Sequence, residues 1–141
     1  MAKCKFCGKP AGFLRSKHVE CEQRHENGIK QIAAEISQAL SPSGSVDALQ
    51  GGLIDIVQRS YVSDKERQSL LVQGWANAVD RFLEDSALDE SEERRLIEFR
   101  NRFSLSETDL EASGALTKVT KAAVIRDVLH GVIPRRMKVE G

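Results

Sequence analysis

The sequence predicts an all-α protein with a small, turn-rich N-terminal unit ahead of a helical bundle. Three observations lead there. Aromatic residues make up only 5% of the 141 residues, against 40% apolar and 30% charged. Core packing is thereby left to Leu, Ile, Val and Ala, which suit helices better than strands. Apolar residues recur at helical spacing through most of the chain, and helix-start motifs stand immediately before three of those runs. All three cysteines fall within the first 21 residues, where apolar residues are too few to build a core unaided.

The elements follow in order. Residues 1–17 are basic and punctuated by Gly and Pro, which predicts turns and a short hairpin. From Val19 to Leu40 a stripe of Ile29, Ile32, Ala33, Ile36 and Leu40 predicts a long helix, weakened or bent at Gly28. Ser41-Pro42-Ser43-Gly44-Ser45 reads as a linker that separates this unit from the rest. Leu49, Leu53, Ile56 and Val57 place a second helix over about Val46 to Ser60, despite Gly51-Gly52. Ser63-Asp64-Lys65-Glu66 is a capping box, opening a helix with Leu71, Trp75, Ala78 and Phe82 on one face and ending near Asp85. On that stripe Trp75 reads as core, not as a stacking platform. Asp89-Glu90-Ser91-Glu92 repeats the box ahead of Leu96, Phe99 and Phe103. Ser106-Glu107-Thr108-Asp109 marks another helix start. The last helix runs from Ala115 to His130, closed by Gly131 with Pro134 beyond. The implied organisation is a unit over 1–40, a bundle over 46–131 and a basic C-terminal arm over 132–141, read as a connector or contact arm.

The net charge is zero but unevenly spread: +4 over residues 1–30, −2 over 31–83, −6 over 84–111 and +4 over 112–141. A neutral total argues against a dedicated nucleic-acid coat, while the basic ends suit an acidic partner. No stretch approaches the ~18 apolar residues of a membrane span, and the N-terminus lacks the apolar run of a signal peptide. An odd cysteine count would leave a disulfide framework with a spare thiol, whereas metal ligation uses all three. A reducing compartment, the cytoplasm, is the expectation.

Cys4-Lys5-Phe6-Cys7-Gly8-Lys9 is a C-x-x-C-G-K knuckle that points two sulfurs at one spot, and Gly8 lets the chain fold back. Cys21 supplies a third donor. The fourth is His18, three residues before it at the start of the helix, or His25, four residues after it on the same helix face. Both sets describe a closed, structural zinc site, since a catalytic zinc keeps one position open. A redox C-x-x-C would need a surrounding βαβ pattern, which is missing. The preferred ligands are Cys4, Cys7, His18 and Cys21. A knuckle, a short hairpin and then an x-x-spaced pair at a helix start resembles the treble-clef zinc fingers. There the positive helix end faces the metal. The rival spacing through His25 resembles a ββα finger.

Val79 to Leu96 reads as helix, acidic loop, helix, with Phe99, Phe103 and Leu105-Ser106 behind it. This stretch resembles the bacterial tellurite-resistance protein B-like helical family over about residues 70–130. The resemblance implies an all-helical bundle used in stress- or phage-related systems, in some members binding metal through acidic residues. The chain departs from the family pattern at Ser86, where Gly is expected. Read as an EF-hand from Asp85, the loop fails: Ala87 stands at position three, Glu90 replaces the turn glycine and Leu96 replaces the bidentate Glu. The acids read instead as solvated helix caps.

No phosphate-cradling Gly loop, nucleophile elbow or zincin helix occurs, and His130 has no motif partner, so an enzyme is not expected. The expected function is a zinc-stabilised helical adaptor that contacts a protein partner or a further domain. The alternative is a nucleic-acid binder using Lys3, Lys5, Lys9, Arg15, Lys17 and Arg24, helped by Arg135, Arg136 and Lys138, with Gln23, Arg24 and Asn27 on the helix face to read bases.

Overall fold

The computed structural model describes residues 2–12, 15–84, 87–129 and 131. Among them the chain is all-α. Its helices are α1 (Val19–Ala39), α2 (Val46–Arg59), α3 (Asp64–Phe82), α4 (Glu90–Arg102), α5 (Glu107–Glu111) and α6 (Ala115–Leu129). The N-terminal unit contributes one isolated antiparallel bridge, Lys3 to Pro10.

The helix starts follow local side-chain chemistry. Ser63 accepts the Glu66 amide at 3.1 Å while Glu66 Oε1 accepts the Ser63 amide at 3.0 Å. Asp89 and Glu92 make the same reciprocal pair, at 2.7 and 3.1 Å. Ser45 and Ser106 each accept one amide of the helix they open. Every such bond satisfies a donor that the first helical turn leaves without a partner. α3 stops at Phe82, the last buried residue of its apolar face, short of the end expected near Asp85.

α3 is the central helix and contacts α1, α4, α5 and α6, while α1 and α2 pack on each other. Ile32 and Ile36 of α1, Leu53 of α2, Leu71 and Val79 of α3, and Leu96 and Phe99 of α4 are all essentially inaccessible and share one core. Trp75 lies in that core, and its indole N–H donates to the Leu96 carbonyl at 2.9 Å. A buried indole without such a partner would lose the hydrogen bond it makes in water.

Two sequence expectations change meaning here. The segment Ser41–Ser45 is a tight inter-helix turn, with the Gly44 amide donating to the Ser41 carbonyl at 3.0 Å. Leu40 before it and Val46 after it are both core residues, so α1 belongs to the same packed core as the later helices. Gly28 marks a close crossing: a Cβ placed there would fall 2.1 Å from Ser60 Oγ, and Ser60 is itself buried. The glycine that lowers helix propensity is what allows α1 to meet the end of α2. Asp85, Ser86, His130 and the arm over 132–141, including Arg135, Arg136 and Lys138, lie outside the described residues. No helix among those described is long and apolar enough to cross a membrane.

Candidate metal centre

The centre is assembled from a turn and a helix start. The Gly8 amide donates to the Cys4 carbonyl at 2.9 Å, closing the Cys4–Cys7 turn, and Gly8 has φ +77°. A side chain there would be strained, as the C-x-x-C-G pattern anticipates. The Cys4 amide then bonds Lys9 O at 2.7 Å, and Ala11 bonds Ala2 O at 3.0 Å, pinning the two arms of the loop. The Lys5 amide reaches Ser16 O at 2.8 Å and brings the following segment alongside. His18 is the N-cap residue of α1, with extended backbone (φ −77°, ψ 146°) and no side-chain cap. Its imidazole points to the cysteines instead.

Cys4, Cys7, His18 and Cys21 come together, with one donor atom from each lying within 4.8 Å of the others. His18 Nδ1 is 3.3 Å from Cys7 Sγ and 3.7 Å from Cys21 Sγ. A tetrahedral ion with metal–sulfur bonds near 2.3 Å and a metal–nitrogen bond near 2.0 Å sets such S···N edges at about 3.5 Å. The two observed distances bracket that value, so the four donors fit one metal ion. His18 Nε2 lies 2.7 Å from the Pro10 carbonyl oxygen. A carbonyl can only accept, so Nε2 carries the proton and Nδ1 presents its lone pair to the cluster.

The electrostatics prepare the sulfurs unequally. Burial pushes the Cys4 thiol up, but the amides of Cys7, His18 and Phe6 aimed at its sulfur outweigh that and bring it down to about 6. The His18 amide contact is 3.4 Å long. Cys21 is pushed up to about 11 by burial and by its sulfur neighbours Cys7 and Cys4. The Pro10 carbonyl and the Cys7 sulfur raise His18 above its ordinary value. A cluster in which one thiolate forms readily and the next resists is the pattern of like charges sharing a site, and a divalent cation relieves it.

His25 is not in the cluster. Four residues along a helix is a rise of about 6 Å, which carries it past Cys21 toward the bundle. Its ring stacks on Phe6 at 4.8 Å between centroids, and Nε2 lies 2.8 Å from Glu66 Oε2, close in distance without the alignment of a hydrogen bond. Phe6 also meets Tyr61 at 5.9 Å. Pro10, Phe6, Tyr61 and Glu66 carry no signal of these roles in the sequence. Glu66 is legible only as a capping residue, and a backbone carbonyl such as that of Pro10 has no residue-type signature.

The other sequence candidates are placed as follows. Lys3, Lys5, Lys9, Arg15 and Arg24 are exposed, and Lys17 pairs with Glu22 at 3.0 Å. Gln23, Arg24 and Asn27 line one open polar groove with Gln31 and Arg59. In the acidic segment, Asp89 and Glu92 are the reciprocal cap of α4, and Glu93 holds Arg126 of α6 at 2.8 Å. No protein-family model matches this chain, and neither a curated protein nor a solved structure matches it.

Proposed function

We propose that this chain is a zinc-stapled helical adaptor, in which a structural zinc ion on Cys4, Cys7, His18 and Cys21 fixes a small basic finger against a helical bundle. The observation that supports it best is the donor set itself. Three sulfurs and one imidazole complete a tetrahedron, so the ion keeps no position for a substrate, and soft thiolates favour zinc over calcium or magnesium. Bound there, zinc would supply cross-linking of the turn to the helix, and the chain's own groups would orient its ligands. The three thiols are free, which fits a reducing compartment such as the cytoplasm. The treble-clef and tellurite-resistance protein B-like resemblances belong to the same proposal, under which the chain would be a bacterial helical module. A protein partner is supported by Ile125, Val128 and Leu129, which stand 56 to 78% exposed at the end of α6.

A nucleic-acid reading has its own support, in the exposed lysines of the finger and the groove lined by Gln23, Arg24 and Asn27. One pair of measurements separates the readings. The adaptor predicts close to one zinc per chain and no salt-dependent binding to duplex or single-stranded nucleic acid at micromolar protein. Micromolar binding that weakens steeply with salt would replace the adaptor by the nucleic-acid reading. Purified chain with well under half an equivalent of zinc would remove the staple.

A further inference from the structure

We infer that Phe6, His25 and Glu66 form a relay through which metal occupancy at the N-terminal cluster sets the order of the α2–α3 corner. The inference rests on the zinc reading above and adds a regulation to that site.

Phe6 stands between two ligands, Cys4 and Cys7, so its position depends on the knuckle that the metal would close. Its ring leaves the knuckle on the bundle side, stacking on His25 at 4.8 Å and meeting the tilted Tyr61 ring at 5.9 Å. His25 Nε2 lies 2.8 Å from Glu66 Oε2, while the other oxygen of the same carboxylate accepts the Ser63 amide. The corner itself is conformationally demanding. Tyr61 has φ +55°, the left-handed residue that closes α2, with its amide on the Gln58 carbonyl at 3.4 Å and the Val62 amide on the Val57 carbonyl at 3.0 Å. Phe6 meets the ring of that capping residue. Two routes therefore run from the knuckle to the start of α3, one through the Tyr61 ring and one through the His25–Glu66 pair.

The metal does not touch the corner. Losing it frees the Cys4–Cys7 turn, withdraws Phe6, and leaves His25 and Tyr61 with uncovered ring faces beside a loosened helix start. The core is spared, because α3 is anchored further along by Leu71, Trp75 and Val79. Metal loss thus exposes an aromatic surface without unfolding the protein.

Tyr61 is the only tyrosine of the chain, so its ring protons identify themselves in an NMR spectrum. The test compares full-length zinc-loaded protein, chelated protein and two Phe6 variants, with zinc content measured in each. Chelation is expected to move the Tyr61 ring signals toward free-tyrosine values and to speed amide exchange at Ser63 and Glu66 by about tenfold or more, leaving Phe99 and Arg100 of α4 unchanged. Phe6→Leu, which keeps apolar bulk but removes the stack, is expected to reproduce that state with zinc still bound. Phe6→Tyr, which adds a second tyrosine ring, is expected to keep the parent's amide exchange at Ser63 and Glu66. Zinc bound at one equivalent, with Tyr61, Ser63 and Glu66 indifferent to chelation or to Phe6→Leu, overturns the relay and leaves the zinc reading standing. Protein that binds no zinc overturns both, and the metal analysis tells the two failures apart.

Discussion

Glu66 divides its carboxylate between His25 and its own helix: Oε2 lies 2.8 Å from His25 Nε2, and Oε1 accepts the Ser63 amide at 3.0 Å. A residue spaced for a capping box thereby also ties the long first helix to the third. The Ser63 amide, with His25 adding to it, holds the Glu66 carboxyl below its ordinary value. A carboxyl depressed in the folded state contributes stability above its unfolded pKa and loses it as pH falls through the folded one. Unfolding midpoints should therefore decline below about pH 4.5 more steeply in the parent than in Glu66→Gln, as followed by urea titration across pH. Identical pH profiles would show that this carboxyl is not coupled to folding.

The two histidines should separate cleanly in metal binding. His18→Ala removes a donor and should weaken zinc binding by about a hundredfold or more, since even a supporting partner of a ligand is worth roughly ten- to a hundredfold. His25→Ala should retain one equivalent. Competition with a chromogenic chelator measures both, and the reverse order would assign the fourth ligand to His25.

Acidification should release the metal. Protons and metal compete for the same sulfurs and for Nδ1, so affinity falls as pH falls. The His18 proton is favoured by the Pro10 carbonyl, and the Cys4 thiolate is lost below about 6. Zinc affinity measured by dye competition should thus fall steadily as pH is lowered, and an affinity that does not change with pH would contradict the ligand set.

Gly28→Ala sets two effects against each other. Alanine gains about 1 kcal/mol of helix propensity over glycine. The new Cβ would lie 2.1 Å from Ser60 Oγ and 2.2 Å from Ser60 Cβ, so the helices must separate. Overpacking of a tight contact costs about 1–3 kcal/mol, so the variant should be destabilised on balance in urea unfolding. Adding Ser60→Gly should recover part of the loss, whereas a Gly28→Ala protein more stable than the parent would mean the crossing is loose.

Arg126 makes a further tie across the bundle. It pairs with Glu93 at 2.8 Å and Asp127 at 2.9 Å, all three side chains under one-fifth exposed. Arg126→Met takes the cation away from two largely buried carboxylates, at a cost of about 2 kcal/mol or more. The double change Arg126→Met with Glu93→Gln should cost less than the single one, and equal losses would show that the pair is uncoupled.

What the sequence determined by itself was local. The capping boxes at Ser63 and Asp89, the closure of the knuckle at Gly8 and the placing of Trp75 on a core stripe each depend on residues within three or four positions, where backbone geometry fixes who meets whom. Spacing alone left two histidines for one metal position, because both lie on the Cys21 face of a helix. The tertiary structure brings His18 to the three sulfurs and His25 elsewhere, through distant groups: the Pro10 carbonyl meets the His18 ring, and Phe6 with Glu66 meets the His25 ring. Gly28 likewise reads in sequence as a weak point and in the fold as a contact with Ser60, thirty-two positions away. A linker became a turn inside one core for the same reason: burial of Leu40 and Val46 depends on helices that meet only after the chain has folded.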